Sequence, residues 1–384
     1  MPTKKKTPEI SIILPCRNEE KALDFCLTQV KKVIKENNLN AEVIVSDSST
    51  DSSPEIALKQ RVILVKHNKE GYGNAYLEGL KYAKGKYIFM ADADGTYDFA
   101  EIPKFTEKLK EGYDFILGDR FKGKMEKNAM SWTHKYIGNP ALSSLLRLFF
   151  KTKIHDVHCG MRMIKKDALE RLDLKTTGME FASEMIIQAL KNNLKIKEIP
   201  INYYKRRGKS KLNSIPDGWR HLRFMLLYSP MFLFFIPGII LILLGFISGA
   251  LIYFGADIFG RVFFYHPIFL SSLCLISGYQ FIIFFLFAKT YAINNLGDKP
   301  ILNKFYKTFS IESGSILGLL LVIGGIIIYL LLFSNWIETN FGNFEAIQTK
   351  NAIVAFTLII LGVQTFSSSF MLSILGIKNK NLYT

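Results

Sequence analysis

Residues 87–98 read YIFMADADGTYD. The first five, Tyr87, Ile88, Phe89, Met90 and Ala91, form an apolar run the length of a buried strand. The run stops at Asp92-Ala93-Asp94, followed by Gly95-Thr96. Two carboxylates one residue apart at a strand end can share a hard divalent cation such as Mg²⁺ or Mn²⁺, which takes oxygen ligands and keeps positions open for substrate phosphates. Taken alone, the pair reads equally as a polar strand end or as an N-cap for the helix that starts near Glu101. Its surroundings decide between these readings.

Upstream, residues 9–14 read as a first strand and 15–20 as the loop leaving it. Residues 21–36 carry a helical stripe of Ala22, Leu23, Cys26, Leu27, Val30, Val33 and Ile34. Residues 42–45 are a second strand, followed by a Ser/Asp cluster that caps a short helix from Pro54. Residues 61–65 are a third strand, and Gly71-Tyr72-Gly73 opens a helix to Ala83. Position 76 is Tyr, so the dinucleotide pattern G-x-G-x-x-G is not met. The glycine pair reads as a tight turn or as a phosphate contact. A helix over 101–110 and a fifth strand over 114–117 follow the strand at 87–91. Strands alternating with helices predict a mostly parallel sheet covered on both faces. Ligands of such sheets sit beyond the carboxyl ends of the strands. Residues 17–19, 47–51, 92–94 and the pair Asp119-Arg120 each follow a strand, so they are expected on one rim.

Further on, residues 142–150 read as an amphipathic helix, either lipid-facing or part of a soluble core. His155, Asp156 and His158 read as loop residues or a phosphate contact rather than a metal site. Glu180 and Glu184 share a helix face and read as sugar-hydroxyl partners or as solvated carboxylates, with Glu180 the favoured site residue. Residues 195–201 are a strand. The basic run 203–211 reads as a solvated face, as an attraction for anionic headgroups, or as a clamp for a diphosphate.

The 384 residues have two compositions, and the mean hydropathy of +0.17 averages them. The first half is mixed and charged, long enough for one α/β domain. From Phe224 onward four uncharged runs, 224–256, 262–288, 313–337 and 351–377, each exceed the roughly 20 residues a helix needs to cross a bilayer. His266 is the one ionisable residue we single out there, which speaks against a polar transport path. Trp219 suits a membrane interface, and Pro230 and Pro237 are candidate kinks. The expected organisation is a catalytic domain over 1–212, an amphipathic interfacial segment over 213–229 and a four-span domain over 230–384.

The first apolar run is too brief for a signal-peptide core, so the first domain is expected on the cytoplasmic side. Lys289, Lys299, Lys304, Lys307, Lys378 and Lys380 outweigh Arg261 and Lys350 in the other connections, which puts both termini in the cytoplasm. Four scattered cysteines without a C-x-x-C pair argue against a disulfide framework or a zinc site. The net charge of +16, with no nucleic-acid motif, points to lipid and phosphate partners.

Seven ordered motifs carry a resemblance: ILPCRNE at 13–19, VSDSSTD at 45–51, GYGNA at 71–75, ADAD at 91–94, GDRF at 118–121, DVHCGMR at 156–162 and GKSKL at 208–212. Together they resemble the polyprenyl-phosphate glycosyltransferases of family 2, the group of dolichol-phosphate mannose synthase, dolichol-phosphate glucose synthase and the GtrB-like enzymes. The resemblance spans residues 9–230 and, more loosely, the four-span tail. It implies an α/β fold of the GT-A type, Rossmann-like, followed by four transmembrane helices. The implied activity is inverting transfer of a hexose from a nucleotide sugar, of GDP-mannose or UDP-glucose type, to a polyprenyl or dolichyl phosphate. Implied donor contacts are Pro15, Arg17, Asn18, Glu19, Asp47, Gly71, Asp92, Arg206, Arg207, Ser210 and Lys211. Asp92, Asp94 and Thr96 would hold Mg²⁺ or Mn²⁺, and Asp92, Asp94 and Arg120 would be catalytic. Arg120, His134, Lys135 and Asn139 would meet the acceptor phosphate. The chain departs from many relatives in having Arg17 for Tyr and Thr96 for Gln. A processive polysaccharide synthase is disfavoured by the missing Gln-x-x-Arg-Trp motif and by so few spans. A non-catalytic protein that binds or translocates a lipid-linked sugar is the reading from another class.

Overall fold

The computed structural model describes residues 7–208, 214–258, 261–262, 264–295 and 311–376. Ser210, Lys211, Lys299, Lys304, Lys307, Lys378 and Lys380 lie outside the described residues. The chain divides into two units, Met1–Met225 and Leu226–Thr384.

The first unit is built on seven strands: β1 (Ile10–Cys16), β2 (Ala41–Asp47), β3 (Ile63–Lys66), β4 (Tyr87–Met90), β5 (Phe115–Asp119), β6 (Arg162–Lys165) and β7 (Ile196–Pro200). They lie in the order β3-β2-β1-β4-β6-β5-β7. All four residues of β4 are buried, because both sheet faces are covered. Burying each large apolar side chain there stabilises by roughly 2 kcal/mol. The sheet is parallel except at β6, which pairs antiparallel with both β4 and β5. Hydrophobic pattern carries no direction, so this reversal was not legible from the run at 161–164.

Helices α1 (Glu20–Glu36), α2 (Ser53–Lys59), α3 (Tyr72–Leu80), α4 (Ile102–Lys110), α5 (Asn139–Phe150), α6 (Lys166–Leu169) and α7 (Phe181–Lys191) connect the strands. The stripe of α1 packs into the core as its spacing predicts, through Ala22, Leu23, Cys26, Leu27, Val30 and Val33. Helix α5 buries Ser143 and Leu146, while Leu148 stays exposed. Among its residues, then, only a narrow stripe joins a soluble core. Helix α8 (Ser214–Leu227) covers most of the segment expected at the interface. The division at Met225 falls inside it.

His221 of α8 packs edge-to-face on His158, ring centroids 4.3 Å apart. Ser183 Oγ bonds His221 Nδ1 at 2.8 Å and His158 Nε2 at 3.4 Å. Burial, with Arg162 adding, holds His221 down to about 4. Burial, His221, Arg120 and Arg162 push His158 well below the usual histidine range. Both rings are therefore neutral at pH 7. The unfolded chain takes up a proton near pH 6.5, whereas folded His221 does so only near 4. Stability is thus full above pH 6.5 and falls as pH drops through that window, by about 3 kcal/mol for His221 alone. The melting temperature of the full chain in detergent is expected to decline from pH 6.5 to 4, and His221→Gln is expected to flatten the decline.

Among the described residues, the second unit holds four helices long and apolar enough to cross a membrane: Met231–Tyr253, His266–Asn294, Glu312–Glu338 and Ala346–Gly376. The first opens as a π-turn over Met231–Phe235 and continues as α9 (Ile236–Tyr253). Pro230 and Pro237 flank that turn, at the helix entry. The others lie in α10 (His266–Asn295), α11 (Ile311–Glu338) and α12 (Ala346–Gly376). Three side-chain pairs join α10 to α12: Ser272 with Thr357, Tyr279 with Thr365, and Gln280 accepting from Gln364 Nε2 at 2.9 Å. A Cβ added at Gly318 of α11 would stand 2.7 Å from the Gly362 carbonyl of α12, so those two backbones touch. Lys350 is not a loop cation as its position suggested. It is buried in α12 and donates to the Ile252 carbonyl at 2.7 Å, capping α9.

Candidate active site

The parallel register aligns the carboxyl ends of β1, β2 and β4, with Cys16 opposite Asp47 and Ile13 opposite Met90. The loops after β1 and β2 are tied together. Asn18, in the left-handed region at φ 54°, donates its backbone N–H to Ser49 Oγ and accepts from Thr50 N through Oδ1. Glu19 N donates to Ser53 Oγ. Asp47 is fully buried; its Oδ1 accepts from Ser49, while Oδ2 has no hydrogen-bond partner among the described residues. A buried carboxylate oxygen left open is a ready acceptor for a ligand N–H or O–H. Pro15 is the penultimate residue of β1, and Arg17 pairs with Glu70 at the exposed edge.

Asp94 is 5% exposed. Its Oδ1 accepts from Thr96 N at 3.0 Å and Thr96 Oγ1 at 2.6 Å. Thr96, expected as a metal ligand, orients Asp94 by donating its hydroxyl hydrogen. Asp94 Oδ2 accepts from Arg206 Nη1 at 2.9 Å, and the other nitrogen of that fork pairs with Glu19. Arg206 Nε is buried with no hydrogen-bond partner among the described residues. The segment 203–207 lies across 94–97: Tyr204 N donates to Thr96 O and Arg207 N to Asp94 O. Arg207 stacks its guanidinium 3.6 Å from the Phe25 ring centroid.

Asp92 is half-buried. Burial first, then the negative charge of Asp94, push its carboxyl up to about 7, against the pull of Arg206. A carboxyl raised by a neighbouring carboxylate in this way suits a hard cation, whose charge would relieve the repulsion. The pair fits Mg²⁺ or Mn²⁺ on that ground. Gly160 stands over Asp92: a Cβ there would lie 2.7 Å from Asp92 Oδ2 and 3.0 Å from the Tyr97 hydroxyl, which accepts from Gly160 N. Gly160→Ala must displace one of these. It is expected to lower turnover about tenfold or more, with the melting temperature nearly unchanged, as initial rates and thermal melting would show.

Arg120 is buried and bound bidentately to Asp156, Nε to Oδ2 and Nη2 to Oδ1, each at 2.7 Å. Its guanidinium lies 5.3 Å from the Tyr203 ring centroid. Asp156 raises it well above the usual arginine range even against burial. Asp156 is thus a partner of Arg120, a role that its place in the sequence did not reveal. His134 and Lys135 sit in a π-turn, His134–Gly138, where His134 bonds Ser131 and Lys135 lies over Tyr136; Asn139, the next residue, donates to Met130.

Gly71, expected among donor contacts, shapes the turn into α3. Its φ of 114° and the Thr177 carbonyl beside it exclude a side chain. Two amides at the start of α3 are already used, Gly73 N on Gly178 O and Asn74 N on Thr177 O. They are therefore not free for a phosphate. Glu184 is fully buried and neither solvated nor open to a sugar. It accepts from Lys175 N, Thr176 N and Thr176 Oγ1, holding the loop that meets Gly71. Glu180 is half-buried, and its Oε2 has no hydrogen-bond partner among the described residues. Arg162 was also missed as an anchor: buried, it donates to the carbonyls of Cys159, Ala182 and Val157. The thiols of Cys16, Cys26 and Cys159 are each pushed up to about 12 by burial, so they are inert.

A mostly parallel seven-stranded sheet carrying paired aspartates at the end of its fourth strand, with four apolar helices behind it in the chain, defines a membrane-attached GT-A protein. Residues 11–173 match the family model for glycosyl transferase family 2, and residues 286–376 match that for the glycosyltransferase family 2 C-terminal transmembrane region. The low-salt glycan biosynthesis hexosyltransferase Agl6 of Haloferax volcanii is 36% identical over 372 residues, 96% of this chain and 89% of that protein. The dolichyl-phosphate hexose transferase of the same organism is 28% identical over 212 residues, 55% of this chain and 89% of that protein. A solved structure of glucosyl-3-phosphoglycerate synthase from Mycobacterium tuberculosis, in complex with Mn²⁺, UDP and glucosyl-3-phosphoglycerate, superposes with a TM-score of 0.47 at 16% identity, over 58% of this chain and 80% of that one. The chain belongs to glycosyltransferase family 2.

Proposed function

We propose that the protein transfers a hexose from a nucleotide sugar to the phosphate of a membrane polyprenol or dolichol, with inversion at the anomeric carbon. The observation that carries this reading is the Asp92, Asp94, Glu19 and Arg206 constellation at the end of β4. The names of the two Haloferax relatives support hexosyl transfer and a dolichyl-phosphate acceptor.

A lipid phosphate is already an anionic nucleophile, so no strong protein base is required. One of its oxygens forms a bond to the sugar's C1 as the bond from C1 to the diphosphate oxygen breaks, and the diphosphate leaves with the electron pair. The chain's task is to hold two anions in line and to stabilise the charge on the leaving one. Asp92 and Asp94 would hold Mg²⁺ or Mn²⁺, and that ion would supply charge neutralisation to the diphosphate. Arg206, with its open Nε, and Arg207 would add cations at the same end. Asn18, Glu19 and Asp47 would take the nucleoside. Arg120, oriented by Asp156, would meet the acceptor phosphate, with His134, Lys135 and Asn139 the further candidates. The catalytic unit and both termini would face the cytoplasm, by the positive-inside argument.

The test is a transfer assay on the full chain in detergent, with labelled UDP- and GDP-sugars and a polyprenyl phosphate. A labelled lipid that depends on Mg²⁺ or Mn²⁺ is expected. Transfer that survives chelation, or label that never enters the lipid phase, would overturn the reading.

A further inference from the structure

A second cluster of ligating side chains lies on the rim at β5 and β7, apart from the aspartate pair that follows β4. Asp119 ends β5, Glu198 lies in β7, and His155 is in the loop between α5 and β6. One ligand atom from each falls within 4.8 Å of the others. His155 Nδ1 stands 3.2 Å from Glu198 Oε2. The Lys122 ammonium sits among them, 3.0 Å from His155 Nδ1 and 3.3 Å from Asp119 Oδ2.

The two carboxylates are built alike. Asp119 Oδ1 accepts from Phe121 N and Lys122 N, at 3.0 and 3.1 Å. Glu198 Oε1 accepts from His155 N and Asp156 N, at 2.8 and 2.9 Å. Each therefore anchors one oxygen on backbone N–H groups and presents the other to the cluster. That is the outer-shell arrangement which fixes metal-ligating carboxylates. Asp119 is fully buried, and its Oδ2 accepts no hydrogen bond among the described residues. A buried carboxylate oxygen in that state calls for a cation. Lys122 supplies a single positive charge from a half-exposed, flexible stem that can swing away to solvent.

The geometry points to a second metal site, formed by Asp119, His155 and Glu198, that takes a Zn²⁺-class ion with water completing its coordination. The imidazole nitrogen sets the ion class. Mg²⁺ and Ca²⁺ favour oxygen donors, whereas one nitrogen and two carboxylates suit Zn²⁺ and its transition-metal neighbours. This separates the site chemically from the all-oxygen pair Asp92 and Asp94. Filling it would tie the end of β5 to β7 and to residue 155, and so stiffen both flanks of the Arg120–Asp156 pair. The assignment does not depend on the sugar-transfer reading.

The experiment is a Co²⁺ titration of the tag-free full chain in detergent, followed by visible absorption, with Zn²⁺ as competitor. It uses Asp94→Asn as the background, to disable the other pair. One Co²⁺ per chain is expected to remain, displaced by Zn²⁺ and not by excess Mg²⁺. Adding His155→Ala, whose side chain is half-exposed, should weaken it at least about tenfold, and Glu198→Gln should do the same. Lys122→Met should tighten it, because the competing ammonium is gone. Absence of Co²⁺ binding in the Asp94→Asn chain, or binding indifferent to His155→Ala in a protein that melts normally, would overturn the site.

Discussion

Asp94→Asn is expected to lower sugar transfer by at least about a hundredfold while the sheet stays folded. The carboxylate is 5% exposed, and both of its oxygens are engaged, Oδ1 by Thr96 and Oδ2 by Arg206. An amide can still accept from Thr96 through one atom. Its NH₂ group then faces the Arg206 fork, donor against donor, and the charge that would hold a divalent ion is halved at the pair. Stability should shift little, because Arg206 keeps Glu19. Rates with saturating Mn²⁺, beside a melting curve, separate the two effects. Activity within a few-fold of the parent chain would remove the aspartate pair from the mechanism.

The largest expected loss of stability lies at Asp156. Asp156→Ala leaves the buried Arg120 guanidinium with no carboxylate, and it also removes the acceptor for Arg120 N. An uncompensated buried charge costs about 3–5 kcal/mol. Arg120→Met in the same chain removes that charge. The double variant is therefore expected to melt above the Asp156→Ala single variant, while both lack acceptor-dependent turnover. Additive losses across the cycle would show that the pair is not coupled.

The sheet and the rim were legible because their signals are local. An apolar run ending in Asp92-Ala93-Asp94 needs only its own residues to read as a buried strand with a polar end, and α1 declares its buried stripe at helical spacing. Partner choice is not local. Asp156 lies 36 positions beyond Arg120, in a stretch without periodicity, and nothing in it indicates which cation its carboxylate will meet. The direction of β6 is hidden for the same reason. At Gly71 the motif read as a tight turn or a phosphate contact, and the choice turned on the Thr177 and Gly178 carbonyls, about a hundred positions away, which take the Asn74 and Gly73 amides. The short side chain of Thr96 turns back onto Asp94, a contact two residues away in the chain.

The three rungs between α10 and α12 act as a key. Hydrocarbon offers no water to replace a lost hydroxyl or amide contact, so a shift of either helix by one turn would break all three pairs at once. Each rung contributes only about 0.6 kcal/mol, yet together they single out one alignment from several of similar van der Waals energy. Where α11 meets α12 at Gly318 and Gly362, backbone lies against backbone. Adjustment to a thicker or thinner bilayer would therefore leave α10 and α12 in their setting.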